Sequence, residues 1–294
     1  MYADQSCRGE KERNEERMIQ SRTGIRLLFV TGFLCCCLPL LLHLYNEKEQ
    51  QKAVATYQKT VKEKKDTSAE ERKEAEDYNS LLFQTQGLQV EGKDKEKLSE
   101  ASYGKLLNPT ETGIMGSLDI PKIGAELPIY HGTEEEVLSK GIGHLPGSSL
   151  PVGGKSTHSV LTGHRGLPQS KLLTRLDEME KGDYFFLHVQ GETMAYKVTG
   201  IQVVKPEEIE VLEIQEGEDL CSIITCTPYG INTHRLIVTG ERIPYEAKKA
   251  ATMEEALPST REVLFTMLPM AWLLILFGYV WKERRKKDET PDKI

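Results

Sequence analysis

Apolar residues are segregated along the 294-residue chain. Two runs, LLFVTGFLCCCLPLLLHLY (27–45) and VLFTMLPMAWLLILFGYV (263–280), carry no formal charge with His43 neutral, and each has about the length a helix needs to cross a hydrocarbon core. Pro39 and Pro269 would kink such helices without forbidding them. Between the runs the pattern changes. GIMGSLDIPKI, ELPIYHG, HSVLTGHRG, YFFLHVQGETMAYKVTGIQVV, DLCSIITCTP and HRLIVTGERI are short apolar stretches bounded by Gly and Pro, the pattern of strands, with a hairpin turning at Gly191. About seven or eight short strands with few helices predict a mainly β fold, a small barrel or sandwich without internal repeats. Two short helices are expected, TEEEVLSKG with caps at Thr133 and Glu136, and an amphipathic one over KLLTRLDEMEKGD (171–183). Ahead of the strands, residues 46–85 place Ala53, Tyr57, Val61, Ala75, Tyr78, Leu81 and Leu82 at helical spacing. This predicts a helical hairpin broken at Asp66-Thr67-Ser68, with Ser68 and Glu71 as a capping box. Residues 86–108 turn polar and read as a lid-like or linker segment.

Charge orients these pieces. Arg8, Lys11, Arg13, Arg17, Arg22 and Arg26 precede the first run, and Lys282, Arg284, Arg285, Lys286 and Lys287 follow the second, so both termini are expected on the cytoplasmic side. The chain then divides into a cytoplasmic arm (1–26), a span (27–45), the hairpin (46–85), the lid-like segment (86–108), a β domain (109–246), a linker (247–262), a second span (263–281) and a basic tail (282–294). A cleaved signal peptide ending at Ala53-Val54-Ala55 is the weaker reading, because that site lies well beyond the apolar run. Tyr279 and Trp281 suit an interfacial belt, whereas Trp272 sits mid-run, facing lipid on this reading. The net charge of −7 has no basic stripe behind it in the outer part, so nucleic acid is not an expected partner.

Cysteine usage raises the chemical question. Cys7 lies in the arm and Cys35, Cys36 and Cys37 in the first span, which leaves Cys221 and Cys226 outside. On one strand, residues five apart face opposite ways and stand roughly 16 Å apart, too far for a disulfide. Cys226 is therefore either an inert buried thiol or a reactive one. A thiolate nucleophile needs a base or charge partner, and acyl transfer needs a donor where the oxyanion forms. After Cys226 the turn TPYGINT returns the chain antiparallel, so Arg235 can approach the sulfur from the next strand while His234 faces away. Arginine suits that place because it presents a fixed fork of donors. Spacing alone does not choose among His43, His131, His144, His158, His164 and His188. No His-x-x-x-His, Cys-x-x-Cys, Asp-rich loop, phosphate loop or Gly-x-Ser-x-Gly occurs, so no metal is expected.

SIITCTPYGINTHRLIVTGERI (222–243) resembles the signature of the sortase family, in which Thr-Leu-x-Thr-Cys ends with the nucleophile and an Arg follows on the next strand. GIMGSLDIPKI, GIGHLPGSSLPVGG and SVLTGHRGLPQSKLLTRLDEMEKGD resemble three further blocks of that family in the right order, so that the resemblance spans residues 107–245. Cys-Thr-Pro-Tyr-Gly and the second apolar run look most like class C, the pilin-polymerising sortases. The resemblance implies a closed sortase-type β-barrel with short helices, preceded by the helical hairpin and flanked by two transmembrane helices. It implies Cys226 as nucleophile, His164 as acid or base and Arg235 as substrate and oxyanion donor, with His144 structural and Gly141 and Gly143 shaping a turn.

The reaction it implies is cleavage of an LPxTG-like sorting signal between Thr and Gly through a thioester on Cys226, and transfer to a pilin lysine. No metal or organic cofactor is required. The expected partners are pilins or surface proteins with such signals and the lipid bilayer, on the outer face of a Gram-positive-type cell. The alternatives are attachment of proteins to cell-wall peptidoglycan and a non-catalytic membrane scaffold. Two departures stand out. Ser222-Ile223 replaces Thr-Leu, and no Asp-Pro-aromatic triplet is present, so a lid in residues 86–107 is not expected to occlude the site with an aromatic anchor.

Overall fold

The structure is a computed structural model that describes residues 3–85, 92–166, 172–246 and 260–288. The expected linker at 247–262, the start of the lid-like segment and the end of the basic tail therefore lie largely or partly outside the described residues. The chain forms two compact units, one of His43–Leu257 and one of Met1–Leu42 with Pro258–Ile294.

The larger unit is built on eight strands, β1 (Ile114–Ile120), β2 (Ala125–His131), β3 (Ile142–His144), β4 (Thr157–Thr162), β5 (Tyr184–Val189), β6 (Glu192–Val204), β7 (Asp219–Thr227) and β8 (His234–Ile243). They close into a barrel in the order β1-β2-β3-β4-β7-β8-β6-β5, the closed alternative of the two expected from the sequence. Closure removes every sheet edge. The pairs β2–β3 and β4–β7 are parallel and the others antiparallel, so β1, β4, β6 and β7 run toward one end and β2, β3, β5 and β8 toward the other. Alternation sorts the side chains. Leu118, Leu161, Cys221, Ile223, Leu236 and Val238 fill the interior, while Val160, Ile224 and Ile237 form a second apolar cluster on the outer face. The hairpin between β5 and β6 turns at Gln190 and Gly191, with φ of 48° and 79°, the left-handed pair that matches the twist of two-residue hairpins. Gly240 has a different reason: a Cβ there would stand 2.6 Å from the Phe185 ring, which stacks on Tyr196 at 5.4 Å inside the barrel.

Helix α1 (Ala3–Glu63) runs unbroken from the arm through the first apolar run and into the charged stretch, and α2 (Lys65–Gln84) follows after Lys64 alone. The two-helix reading of 46–85 holds, but the break falls earlier than Asp66-Thr67-Ser68. Ser68 is no cap: it lies inside α2, where its hydroxyl donates to the Lys64 carbonyl at 3.1 Å, and Glu71 accepts from the Gln190 side-chain amide at 2.6 Å. Tyr57 ties α1 to the barrel by donating to the Met115 carbonyl (2.8 Å) and accepting from the Gln190 amide (3.0 Å). Asn79 ties α2 to the barrel through both groups of Leu150.

Three further expectations change. Residues 92–108 form the short helices α3 (Gly92–Lys97) and α4 (Glu100–Tyr103), and Tyr103 and Leu107 enter the barrel core. His131 Nε2 lies 2.7 Å from the Leu106 carbonyl, and the Gly113 amide donates to Asn108. These contacts dock the segment where β1 begins and β2 ends. Of the expected helix over 171–183, the described residues 172–183 are not helical; Leu172 takes φ of 35° and only a 3₁₀ turn at Leu176–Glu178 remains. The apolar spacing there is real, but it serves a turn that packs Leu172, Leu173, Leu176 and Met179 into the core. The helix α5 (Glu135–Leu138) is one turn with Glu134 at its N-cap and no side-chain cap, so neither Thr133 nor Glu136 acts as expected.

In the smaller unit, the first part of α1 lies beside α6 (Thr260–Asp288). Phe29 meets Trp272 and Tyr279 at 5.6 and 5.8 Å, and a Cβ on Gly32 would stand 2.6 Å from the Trp272 ring. Phe29 near Tyr279 and Gly32 near Trp272 fix an antiparallel pair. Trp272 thus faces a neighbouring helix, with its indole N–H donating to the Phe29 carbonyl at 2.9 Å. Among the described residues, Leu27–Glu63 is the helix long and apolar enough to cross a membrane, and Met267–Lys282 is a shorter apolar one.

Candidate active site

Three adjacent strands build the site from residues far apart in sequence. Cys226 and Arg235 are direct cross-strand partners at the turn end of the β7–β8 hairpin, so their side chains share a face. That face is the outer one, set by Ile224 and Ile237 two residues further into each strand. On the other flank β4 pairs with β7 in parallel, with Thr162 opposite Ile224. Carrying the register on by two residues brings His164 beside Cys226. Strands lie about 4.8 Å apart, so Cys226 and Arg235 stand in adjacent rows at one end of the barrel, and His164 follows two residues after β4 ends on the other flank of Cys226. Each of the three residues is partly exposed.

Each side chain has support. His164 Nε2 lies 3.1 Å from both carboxylate oxygens of Glu135, the first residue of α5. Arg235 donates through Nη1 to the carbonyls of Asn232 (3.3 Å) and His234 (3.2 Å), which folds it back on its own turn. Thr225 donates to the Gly163 carbonyl at 2.8 Å, and the Gly163 amide donates to the Ile224 carbonyl at 3.1 Å. Tyr229 lies over Gly166, where a Cβ would come within 2.6 Å of its ring. His234, beside Thr227 in the register, faces away from this row and meets Thr233 Oγ1 at 2.9 Å.

The second outer thiol has a different character. Cys221 is unpaired, fully buried among core residues, and burial together with the nearby Asp219 charge pushes its thiol far up from the ordinary range. It is an inert core residue, while Cys226, also unpaired, is reachable from solvent.

His144 and His158 lie outside the row. His144 is buried, with Nε2 2.8 Å from the Ser149 carbonyl and Nδ1 2.9 Å from the Tyr103 hydroxyl; desolvation lowers its pKa to about 4. Gly141 sits in the turn after α5, its amide donating to the Val137 carbonyl at 3.1 Å, whereas Gly143 lies within β3. They allow close approach between chain segments, since a Cβ on Gly141 would meet the Pro128 carbonyl at 2.6 Å and one on Gly143 would collide with the Gly132 carbonyl. His158 is held between the Glu213 carbonyl at Nδ1 (3.0 Å) and Ser222 Oγ at Nε2 (2.8 Å), and burial lowers its pKa. Two further residues escaped the sequence reading. Glu135 lies within the TEEEVLSKG run and Arg165 directly follows His164, and no motif singles out either. No group of three or more His, Cys, Asp or Glu residues suited to a metal occurs among the described residues.

A closed eight-stranded barrel with a solvent-reachable thiol paired across the ladder with an arginine, and a histidine just past the end of the neighbouring strand, is the arrangement of a cysteine-dependent acyl-transfer protein. Comparison with known proteins is specific. The Sortase domain family matches residues 118–243. Sortase D of Bacillus subtilis (strain 168) is 34% identical over 137 residues, which cover 45% of this chain and 66% of that protein. The crystal structure of sortase C1 from Streptococcus agalactiae is similar with a TM-score of 0.61 and 42% identity, covering 66% of this chain and all (100%) of that one. Streptococcus pneumoniae Sortase C, whose structure is described in terms of catalysis and pilin substrate specificity, gives 0.56 and 39%, covering 67% and 98%. The chain belongs to the sortase family of cysteine transpeptidases.

Proposed function

We propose that this chain is a membrane-anchored class C transpeptidase that cleaves an LPxTG-like sorting signal between Thr and Gly and joins the new carboxyl end to a lysine of a pilin subunit. The observation that carries the reading is the cross-strand pairing of Cys226 with Arg235, and it is supported by His164 following two residues after β4, which pairs with β7 on the other side of Cys226.

The Cys226 thiolate attacks the threonine carbonyl carbon, and the carbonyl electron pair moves onto oxygen. Arg235, beside Cys226 at the turn of the hairpin, donates to that oxyanion. The tetrahedral adduct collapses, the C–N bond breaks, and the imidazolium of His164 gives its proton to the departing glycine amine. A thioester remains on Cys226. The lysine amine then attacks the thioester carbonyl, His164 takes up the amine proton, the C–S bond breaks, and an isopeptide bond and the free thiolate result. The resemblance to sortases C supports the pilin acceptor. The two apolar runs, with basic residues at the outer ends of both, support two spans with both termini in the cytoplasm and residues 46–262 outside.

The test is incubation of the full chain with an LPxTG-bearing peptide, with a lysine-bearing pilin segment or a cross-bridge amine as acceptor. Mass spectrometry is expected to find an acyl adduct on Cys226 and product only with the lysine acceptor. Cys226→Ala is expected to remove both, a loss of at least about a thousandfold. Adduct formation by that variant sinks the nucleophile assignment. Product only with the cross-bridge amine moves the function to peptidoglycan anchoring, and no adduct on the wild type moves it to a scaffold.

A further inference from the structure

The ladder of β4 ends at Thr162, two residues before His164. Gly163 still bonds Ile224 and Thr225 beyond that point, and a further support lies on the reverse face. Arg165 follows His164 and Thr227 follows Cys226, so alternation turns both away from the site and toward each other. Arg165 Nη1 donates to Thr227 Oγ1 at 3.0 Å. The same guanidinium donates through Nε to the Thr174 carbonyl at 3.4 Å and through Nη2 to the Asp177 carboxylate at 2.5 Å, and its side chain is only 6% exposed. One planar fork thus binds the chain carrying His164, the chain carrying Cys226 and the β4–β5 connection.

We propose that Arg165 is a positioning residue that, through Thr227, fixes the separation of His164 and Cys226. It touches neither substrate nor thiol. Lysine cannot replace it, since a single ammonium group does not reproduce three directed contacts from a plane. The inference rests on the assignment of Cys226 and His164 made above. Reactive groups misplaced by about 1 Å lose up to a hundredfold in rate, so the contact acts on the chemical step and leaves peptide binding in place.

The experiment follows adduct formation on Cys226 of the full chain at saturating LPxTG-bearing peptide, with thermal midpoints measured in parallel. Arg165→Met, Arg165→Lys and Thr227→Val are each expected to lower kcat about tenfold, with KM within about twofold of wild type. Thr227→Ser, which keeps the hydroxyl, retains the wild-type rate. The double variant Arg165→Met/Thr227→Val loses no more than either single change, because both remove the same contact. A wild-type rate in Thr227→Val, an equal defect in Thr227→Ser, or losses that multiply in the double variant overturns the proposal, as does a lowered thermal midpoint with kcat intact. An inert wild type, or adduct formation by Cys226→Ala, instead overturns the assignment of the site on which the proposal rests.

Discussion

His144 shows how much a single position depends on its proton. A carbonyl only accepts, so the Ser149 contact at 2.8 Å requires a hydrogen on Nε2, which leaves Nδ1 to accept from the Tyr103 hydroxyl at 2.9 Å. The Gly132 amide completes the arrangement by donating to that hydroxyl at 3.1 Å. In the unfolded chain the imidazole binds a proton near pH 6.5; in the fold it does so only at about 4. Between those values the unfolded state holds the extra proton, so stability falls as pH drops from 6.5 to 4 and this contribution falls no further below. The shift corresponds to about 3 kcal/mol as an upper figure. Thermal midpoints of the wild type are expected to fall across that window more steeply than those of His144→Gln. His158 and His188, also lowered by burial, act equally in both proteins. Parallel profiles would refute the assignment. In the sequence His144 could be read as structural only through the sortase resemblance, and its partner Tyr103 sat unread in a polar stretch. The pairing of Cys226 with Arg235 was legible directly, because a strand, a seven-residue turn and a returning strand fix it locally. The place of His164 was not, since it follows a parallel strand contributed from 62 residues upstream, which leaves no local signal.

At the scale of elements, side chains fasten the connection between β6 and β7 onto the barrel. Its 3₁₀ turn (Glu210–Leu212) lays Val211 and Leu212 over Ile224 and Ile237, directly below Cys226 and Arg235. His158 fastens it by meeting the Glu213 carbonyl at 3.0 Å. The ring is fixed from behind by Ser222, whose hydroxyl lies 2.7 Å from Thr239 Oγ1. The departure from Thr-Leu at Ser222 therefore still supplies a hydroxyl, and that hydroxyl has a structural partner. His158→Ala is expected to raise amide exchange in residues 207–213 by at least about tenfold while β4, β7 and β8 stay protected, since loops open locally at low cost. Uniform loosening of the three strands, or no change in the connection, would count against this anchor. The strands themselves were legible because alternation with Gly and Pro boundaries leaves little choice. The misread elements were those whose spacing had two solutions. The stretch 172–183 keeps helical periodicity yet cannot stay helical once Leu172 takes a left-handed backbone, and the polar segment 92–108 hides two core side chains among its charges.

For the molecule as a whole, the question is whether one helix or two cross the bilayer. The first apolar run is long enough by itself, whereas the second is shorter and needs a partner to settle it. The smaller unit supplies one: α1 and α6 are antiparallel, with the Trp272 indole seated over Gly32 and bonded to the Phe29 carbonyl. Small residues admit such close contact within membranes, and a satisfied indole N–H removes one polar liability. Antiparallel packing also brings the end of α1 that carries Arg22 and Arg26 to the end of α6 that carries Lys282 and Arg285, which agrees with the positive-inside bias for both. Labelling of intact cells with a membrane-impermeant maleimide reads this directly. In a Cys226→Ala background, Lys205→Cys on the exposed β6–β7 connection is expected to react in intact cells. Lys293→Cys in the tail is expected to react only after lysis. Gly32→Leu, by displacing Trp272, should raise reaction of Lys293→Cys in intact cells if helix packing holds the second run across. Reaction of Lys293→Cys in intact cells without that change would mean that α6 does not span, and the anchor would reduce to the first run alone.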